Sequence, residues 1–376
     1  MGAGPVAGRV RGCILSPQGW LVGSLRHEGG RIVAVEGQPV VGPVPGDELP
    51  IVLPGFLDLH VHGGGGVDVM DGGDAVAVVA RTHARHGTTA LLATTLTAPS
   101  QALDAALDAV APHCAEREGG GARVLGVHLE GPFINSARLG AQPPHARAAS
   151  REDILRWHRK APLKVITLAP EVEGHLALIP WLCGLGARVQ LGHSDARYED
   201  AEQAFRAGAS GCTHLFNAMS PLHHRAPGLV GAALALAEYS ELIPDLLHVH
   251  PGALRAALRA IPGAFVVTDA TAAAGMPDGP YQLGGQAVER CMGAVRLPDG
   301  TLAGSVLTMD QALRNLVSLG LPLAEASARV SSVPARYLGL QDRGVLAVGA
   351  RADVVELDTR LQVQRVHVEG EVTHAV

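Results

Sequence analysis

Short apolar runs alternate with longer amphipathic segments through most of this 376-residue chain. The longer segments carry apolar residues at helical spacing, as in 74–86, 100–118, 172–186 and 198–207. Repeated strand–helix alternation predicts a parallel α/β sheet, and eight units in about 290 residues suit a closed, TIM-like (β/α)8 barrel. The eight predicted strands are Pro54–Leu59, Ala90–Thr95, Val124–Leu129, Val165–Leu168, Val189–Leu191, Gly211–Thr213, Leu242–Leu247 and Ala264–Thr268.

An open, doubly wound sheet is the competing topology for the same alternation. Its usual phosphate-binding fingerprint is GxGxxG directly after the first strand. That fingerprint is missing, because the glycine run Gly63–Gly66 follows histidines instead. The sequence therefore favours the closed barrel.

Both ends of the chain read as short strands broken by turns. Neither end carries enough apolar residues to fold alone, so we expect the two to form one small β-sandwich domain. Residues 1–52 and 343–376 would build this domain, and residues 53–342 would build the barrel. The predicted terminal strands are Gly8–Leu15, Trp20–Arg26, Arg31–Glu36, Asp353–Leu357 and Gln362–Val368.

Composition excludes several classes of protein. A net charge of −6 and a pI near 6.3 give no electrostatic reason to expect nucleic acid as a partner. Charged residues interrupt every apolar stretch well before the roughly 18 residues of a spanning helix, so no membrane association is expected. The N-terminal segment lacks a long apolar centre and the five cysteines form no CxxC pair, which favours a reducing cytoplasm.

Polar side chains recur just after the predicted strands. His60 and His62 follow the first, Glu130 the third, His193 the fifth, His214 the sixth and Asp269 the eighth. In a barrel all of these positions lie at the C-terminal mouth, where catalytic groups gather. Imidazoles and a glutamate converging there predict a site for a first-row metal, with one carboxylate left over.

The pair His60 and His62 satisfies a simple geometric condition. Strand alternation places residues i and i+2 on one face, so both imidazoles can reach one ion. His128 lies two residues before Glu130 on the same strand face, and we interpret it as a packing residue of the barrel interior. Cys212 is likewise interpreted as a core residue.

Several motifs together resemble the N-acetylglucosamine-6-phosphate deacetylase family of the amidohydrolase superfamily. They follow the order of that family and cover nearly the whole chain. LEGPF and THLFNAM are the most specific of them. The motifs are PGFLDLHVHGGGG (54–66), HGTTALLATTLT (86–97), GVHLEGPFIN (126–135), LGHSDA (191–196), THLFNAMSPLHHRAPGLVGAAL (213–234), VTDA (267–270), LAGS (302–305) and GVLAVGARADVVELD (344–358).

The resemblance implies a role for each residue at the predicted mouth. Glu130, His193 and His214 match the principal metal ligands, and Asp269 matches the catalytic aspartate. His60 and His62 match a first-strand pair that some members replace, which implies that a second metal position is usable. One or two divalent ions per subunit are therefore expected, most readily zinc, with iron, manganese and cobalt as alternatives.

The same resemblance implies a set of substrate contacts. Asn217 and Ala218 match positions that contact the sugar phosphate, and His248 matches a sugar or phosphate contact. Arg225 matches an arginine that reaches the active site of the neighbouring subunit in a homodimer. Gln142 stands where many members have a substrate-contacting histidine, and Leu246 stands where a glycine is expected after an aspartate.

The scarcity of lysine bears on the type of metal centre. Many two-metal amidohydrolases bridge their ions with a carboxylated lysine at the end of the fourth strand. The chain has only two lysines, Lys160 and Lys164, and Lys164 begins the fourth predicted strand rather than ending it. Glu130 can supply the bridging carboxylate instead, which disfavours dihydroorotase-like and urease-like interpretations.

The expected activity is removal of the acetyl group from N-acetyl-D-glucosamine 6-phosphate, in amino-sugar catabolism or cell-wall sugar recycling. A deacylase of another N-acyl substrate, such as N-acetylgalactosamine 6-phosphate or an N-acyl amino acid, is the alternative enzyme. A catalytically silent barrel that binds or assembles is the alternative from another class. Structural zinc sites usually have closely spaced Cys and His ligands, whereas the ligands here are spread over more than about 150 residues.

Overall fold

The computed structural model describes residues 7–43 and 49–376. Parts of the predicted β-domain segment 1–52, namely residues 1–6 and 44–48, lie outside the described residues. No helix in the described ranges is both long and apolar enough to cross a bilayer.

The described residues form twenty strands, ten α-helices and two short 3-10 helices, Val69–Asp71 and Ser136–Arg138. The strands are β1 (Ala7–Ser16), β2 (Gly19–Glu28), β3 (Arg31–Val40), β4 (Ile51–Pro54), β5 (Phe56–Val61), β6 (Gly63–Gly64), β7 (Val67–Asp68), β8 (Thr88–Thr95), β9 (Arg123–Glu130), β10 (Leu163–Leu168), β11 (Arg188–Leu191), β12 (Gly211–Cys212), β13 (Tyr239–Leu242), β14 (Gly263–Val266), β15 (Gly279–Leu283), β16 (Gln286–Cys291), β17 (Ala294–Arg296), β18 (Val354–Leu357), β19 (Val363–Val368) and β20 (Glu371–Ala375). The α-helices are α1 (Ala75–Ala84), α2 (Ser100–Ala115), α3 (Arg151–Lys160), α4 (His175–Gly184), α5 (Tyr198–Ala207), α6 (Gly228–Leu236), α7 (Pro251–Ala260), α8 (Met309–Ser318), α9 (Leu323–Val330) and α10 (Ser332–Tyr337).

Eight parallel strands close into the predicted barrel. Six of them hydrogen-bond in the order β12-β11-β10-β9-β8-β5, and β13 pairs with β14. The amide of Leu215 donates to the carbonyl of Glu241 at 3.0 Å, which joins the end of β12 to β13. The amide of Asp269 donates to the carbonyl of His60 at 2.9 Å, which joins the segment after β14 to β5. These bonds complete the ring and confirm the TIM-like barrel.

The barrel strands are buried on both faces. Every residue of β5 and of β8 is buried, as expected for parallel strands with helices outside and packed side chains inside. The amphipathic helices cover them, and α3 shows why one begins where it does. The side chain of Ser150 accepts a hydrogen bond from the amide of Asp153, which satisfies a donor that the helix cannot satisfy internally.

The seventh strand differs from its prediction. We expected Leu242–Leu247, but β13 ends at Leu242. Pro244 has no amide hydrogen to donate, and Leu246 adopts a left-handed φ of 67°, so the chain turns away from the sheet there. The true strand therefore includes Glu241, a charged residue that the apolar run excluded.

Both termini join one β domain beside the barrel, as predicted, and its described strands form one sheet, whereas the expected sandwich has two. Its seven described strands run in the order β20-β19-β18-β4-β1-β2-β3. β4 lies parallel to β1 and antiparallel to β18, so it holds the N-terminal and C-terminal strands together. Strand β20 was not predicted. The proposed boundaries at 52/53 and 342/343 stay predictions.

A buried ion-pair network connects this β domain to the barrel. Arg343 pairs with Asp353 and Glu369, and Glu369 also accepts from Arg123 of β9 at 3.0 Å. A buried guanidinium such as that of Arg343 is tolerated only when it is paired. Burial opposes the charged form of Glu369, but Arg123 and Arg343 outweigh that effect and lower its pKa to about 2.

We predict that Glu369→Gln makes the protein less stable near neutral pH. The folded-state pKa of Glu369 is depressed, so its contribution is present above its ordinary pKa of 4.5 and is lost as the pH falls toward 2. The loss of charge-assisted hydrogen bonds should cost about 2 kcal/mol at pH 7. Urea unfolding followed by circular dichroism measures the difference in unfolding free energy between the variant and the wild type, at pH 7 and at pH 3.5.

The matched control is Glu202→Gln, which removes an exposed pair with Arg206 on α5 and should change stability little. A stability difference between Glu369→Gln and the wild type that does not shrink at pH 3.5 would contradict the charge-based explanation.

Candidate metal centre and active site

All six residues predicted for the metal centre and its catalytic carboxylate meet at the C-terminal mouth of the barrel. Each of them lies at or just beyond the C-terminal end of a barrel strand, and each is buried, with Asp269 the most exposed at 8%. The structure thus brings together side chains that are more than 200 positions apart in the sequence. The six residues are His60, His62, Glu130, His193, His214 and Asp269.

Three of these residues adopt a left-handed backbone conformation. The φ angles are 47° at His193, 30° at His214 and 50° at Asp269. Non-glycine residues seldom adopt positive φ, although His and Asp do so more readily than most. Such conformations cost energy and concentrate at functional sites, because a turn there redirects a side chain that strand geometry would leave elsewhere.

Glu130, His193 and His214 form a first cluster, which we term the glutamate group. The Oε1 atom of Glu130 lies 3.1 Å from Nε2 of His193 and 2.9 Å from Nε2 of His214. The two Nε2 atoms lie 3.0 Å apart. Nδ1 of His193 donates to the carbonyl of Arg138 at 2.9 Å, so its Nε2 presents a lone pair to the centre of the cluster.

His60, His62 and Asp269 form a second cluster, which we term the aspartate group. The Nε2 atoms of the two histidines lie 3.1 Å apart. Oδ1 of Asp269 lies 3.2 Å from Nε2 of His62 and 3.4 Å from Nε2 of His60. Strand alternation therefore places both imidazoles on one side of the chain, as predicted.

Glu130 lies between the two groups. Its Oε1 atom faces the glutamate group, while its Oε2 atom lies 3.1 Å from Nε2 of His62 and 3.4 Å from Nε2 of His60. One carboxylate thus contacts four imidazoles. The bridging role expected of Glu130 stays a prediction, and Lys164 is exposed near the start of β10, as expected.

The electrostatics of the mouth fit a divalent cation. Burial disfavours the charged form of Glu130, but His60, His193 and His214 outweigh burial and hold its pKa well below the ordinary value. Burial also disfavours charge on Asp269, whose pKa is nevertheless lowered by His60 and His62. The same contacts raise the pKa of His62 to about 9, so protons on the imidazoles supply positive charge here. A divalent cation is the other group that suits the space between carboxylates and imidazoles.

A cavity of about 240 Å³ opens above these groups. Asp269, Glu130 and His62 line it, together with His193 and His214. Apolar side chains, including Leu96, Leu283 and Leu302, form another part of its wall. A cavity with an apolar wall and converging polar groups is typical of a small-molecule site.

Four of the five predicted substrate contacts line this cavity: Gln142, Asn217, Ala218 and His248. The Nδ1 atom of His248 contacts Oδ2 of Asp245 at 2.6 Å. Burial alone would lower the pKa of His248, but Asp245 raises it above the ordinary value. The side chain of Asn217 donates to the carbonyl of His214 at 3.0 Å, which stabilises the turn that carries this ligand candidate.

Gln142 has additional contacts that the sequence did not reveal. Its Nε2 atom donates to Oε2 of Glu130 at 2.6 Å, and its Oε1 atom accepts from the amide of Thr97 at 2.7 Å. Both ends of the amide are therefore engaged by the protein. The side chain orients Glu130 besides lining the cavity.

Arg225, the fifth predicted contact, does not reach the cavity within its own subunit. Its side chain is exposed and contacts Nε2 of His224 at 2.8 Å. It lines a separate surface depression that also includes Asp195, Arg197 and Tyr198. Its predicted contact with a neighbouring subunit stays a prediction.

Two further buried residues lie near the mouth, one interpreted from the sequence and one missed. His128 packs inside the barrel as predicted, with Nδ1 bonded to the carbonyl of Leu59 and Nε2 to the hydroxyl of Thr167. Glu241 was missed, although its carboxylate lies 2.9 Å from Nδ1 of His60. A charged residue directly before an apolar run was the available signal, and the misplaced start of the seventh strand concealed it.

Comparison with known proteins agrees with this geometry. Residues 51–373 match the model of the amidohydrolase family. N-acetylgalactosamine-6-phosphate deacetylase from Escherichia coli O157:H7 is 43% identical over 95% of this chain and 97% of the relative. N-acetylglucosamine-6-phosphate deacetylase from Lysinibacillus sphaericus is 40% identical over 82% of each chain.

A solved structure gives the same result in three dimensions. A single-residue variant of N-acetyl-D-glucosamine-6-phosphate deacetylase from Mycobacterium smegmatis, in complex with N-acetyl-D-glucosamine 6-phosphate, superposes with a TM-score of 0.89. It is 33% identical, and the match covers 99% of this chain and 100% of that one. The resemblance found in the motifs is confirmed, and the chain belongs to the amidohydrolase family.

Proposed function

We propose that this protein hydrolyses the acetamide of N-acetyl-D-glucosamine 6-phosphate and releases D-glucosamine 6-phosphate and acetate. One observation carries the proposal: Glu130 of the glutamate group also contacts the histidines of the aspartate group, and Asp269 lines the cavity at the barrel mouth. The relatives that cover most of this chain bear the names of amino-sugar phosphate deacetylases. Such an enzyme acts in amino-sugar catabolism or in the recycling of cell-wall sugars.

The donor set favours a divalent metal at the glutamate group, with a second position at the aspartate group. Two imidazoles and one glutamate form the protein ligand set of some catalytic zinc sites, so zinc is the ion that we propose. Iron, manganese and cobalt accept the same donors. When bound, such an ion lowers the pKa of water and polarises the acetyl carbonyl.

Asp269 is the proton carrier in this proposal. An aspartate carboxylate is ionised at neutral pH, so Asp269 can accept a proton from the attacking water. The water oxygen bonds to the acetyl carbon, the amide C–N bond breaks, and Asp269 passes the proton to the departing sugar nitrogen. Atoms and charges balance, because the proton lost by water is the proton gained by the amine.

Substrate binding involves a second subunit. His248, Asn217 and the main chain near Ala218 face the cavity and suit the hydroxyls and phosphate of the sugar. Arg225 lies on the surface of its own subunit, where it can extend into the active site of a partner in a homodimer. The phosphosugar is then held by groups from both chains.

A reducing cytoplasm is the compartment that the cysteines favour. Cys114, Cys183, Cys212 and Cys291 form no disulfide bond. Secreted proteins of the oxidising compartments more often use their cysteines in disulfides.

Acetate release from zinc-loaded protein tests the function. We expect a larger kcat/KM for N-acetylglucosamine 6-phosphate than for N-acetylgalactosamine 6-phosphate, unphosphorylated N-acetylglucosamine or an N-acyl amino acid. The galactosamine substrate is included because one relative bears its name. A larger kcat/KM for that substrate would show that the enzyme prefers the galactosamine epimer. No acetate from any of the four compounds would reject the proposed deacetylase activity.

We predict that Asp269→Asn lowers kcat by at least about 100-fold, the low end of general acid–base contributions. The protein should still retain metal, because the glutamate group does not include Asp269. Turnover is measured as acetate release, and metal content is measured on the same preparation. Asp299→Asn changes an exposed aspartate and serves as the matched control. Wild-type turnover in Asp269→Asn would remove this residue from the mechanism.

We predict that Arg225→Ala raises KM for the phosphorylated sugar about tenfold or more and changes kcat less, because a phosphate contact is worth a few kcal/mol. Arg197→Ala is the matched control, since Arg197 lines the same depression but pairs with Asp200 on its own helix. Steady-state kinetics of both variants with phosphorylated and plain N-acetylglucosamine distinguishes loss of phosphate binding from a general loss of substrate binding. An equal loss for both sugars would show that Arg225 does not bind the phosphate.

A further inference from the structure

Glu241 is a buried carboxylate that neither the proposed mechanism nor the predicted ligand set uses. It lies on β13, and its side chain is fully buried. A buried carboxylate is costly unless specific donors compensate it. Two donors do so here: Nδ1 of His60 at 2.9 Å and the main-chain amide of His214 at 3.1 Å.

Both donors meet the same oxygen, Oε2, and they come from different ligand groups. His60 belongs to the aspartate group, and His214 belongs to the glutamate group. Glu241 is therefore a single contact that connects β5 to the turn after β12, directly beneath both groups. Removing it would release one residue of each group.

The contact with His60 also determines which ring nitrogen is free. With the proton of the neutral ring on Nδ1, donated to Glu241, Nε2 carries the lone pair. That Nε2 atom lies 3.1 Å from Nε2 of His62 and 3.4 Å from Oδ1 of Asp269, at the centre of the aspartate group. A hydrogen bond from the second nitrogen of a metal-binding histidine to a carboxylate is a common way to fix such a ring.

Glu241 is not itself a ligand in a third metal site. It lies close to His60 and His128, but both nitrogens of His128 are engaged. Nδ1 of His128 contacts the carbonyl of Leu59 at 3.1 Å, and Nε2 contacts the hydroxyl of Thr167 at 2.7 Å. A carbonyl oxygen only accepts, so Nδ1 of His128 donates to Leu59 and Nε2 accepts from Thr167. His128 therefore has no free lone pair to offer a metal.

We infer that Glu241 is a positioning residue of the metal centre, which holds His60 in the tautomer and orientation that present Nε2 to a divalent cation and fixes the turn that carries His214. The inference rests on the proposed metal-dependent function and deepens it. Glu241 acts through the two histidines and does not touch substrate.

The geometry distinguishes the effect of the oxygen from the effect of the charge. In Glu241→Gln the amide could place either its oxygen or its nitrogen toward His60. The main-chain amide of His214 can only donate, so it selects the orientation with the oxygen at the Oε2 position. His60 then keeps its acceptor, and the variant should rescue what Glu241→Leu loses.

The experiment measures zinc binding by competition with a chelator at neutral pH, together with the number of ions bound. Glu241→Leu should bind at least one ion about 10- to 100-fold more weakly than the wild type, as is usual when a partner of a ligand is removed. Glu241→Gln should bind close to the wild type. Glu238→Gln changes an exposed glutamate three residues away and serves as the matched control.

Circular dichroism and the thermal midpoint show whether each variant is folded. If Glu241→Leu does not fold, the Gln variant still tests the inference. Folded Glu241→Gln that binds zinc 10- to 100-fold more weakly than the wild type would overturn the positioning role. Wild-type affinity in folded Glu241→Leu would also overturn it. A wild-type protein that binds no zinc and releases no acetate would instead reject the proposed function.

Discussion

The burial of Glu130 among four imidazoles is the interaction on which the rest of the mouth depends. Its two oxygens lie 2.9 to 3.4 Å from Nε2 atoms of His60, His62, His193 and His214. A carboxylate at 1% exposure is tolerated only when positive charge or strong donors surround it. The surrounding imidazoles stabilise the ionised carboxylate, which ties the fold of the mouth to its chemistry.

The closed barrel supplies the precision that this cluster needs. The segment after β14 hydrogen-bonds to β5 through Asp269 and His60, so the candidate proton carrier is fixed relative to a candidate ligand by main-chain atoms. The left-handed turns at His193, His214 and Asp269 then direct the side chains to one point. Such turns cost free energy, and the buried strands below them provide the stability that compensates for it.

Periodicity and motif order were enough to predict the barrel, the β domain built from both termini, and six side chains that meet at the mouth. The pair at His60 and His62 follows from strand alternation, and Glu130 ends its strand as expected. The start of β13 could not be read from an apolar run, because Glu241 is a charged residue buried by two specific donors. Hydrophobic patterns do not encode hydrogen bonds between distant residues, so they miss buried polar positions of this kind.

Gln142 orients Glu130 with a neutral side chain. Its amide nitrogen donates to Glu130 and its amide oxygen accepts from the main-chain amide of Thr97, so both ends of the side chain are fixed. A protonated imidazole at this position would add positive charge beside the metal ligands, whereas an amide stays neutral at every pH. Burial opposes the charge of Glu130, and the imidazoles of His60, His193 and His214 are the groups that stabilise it.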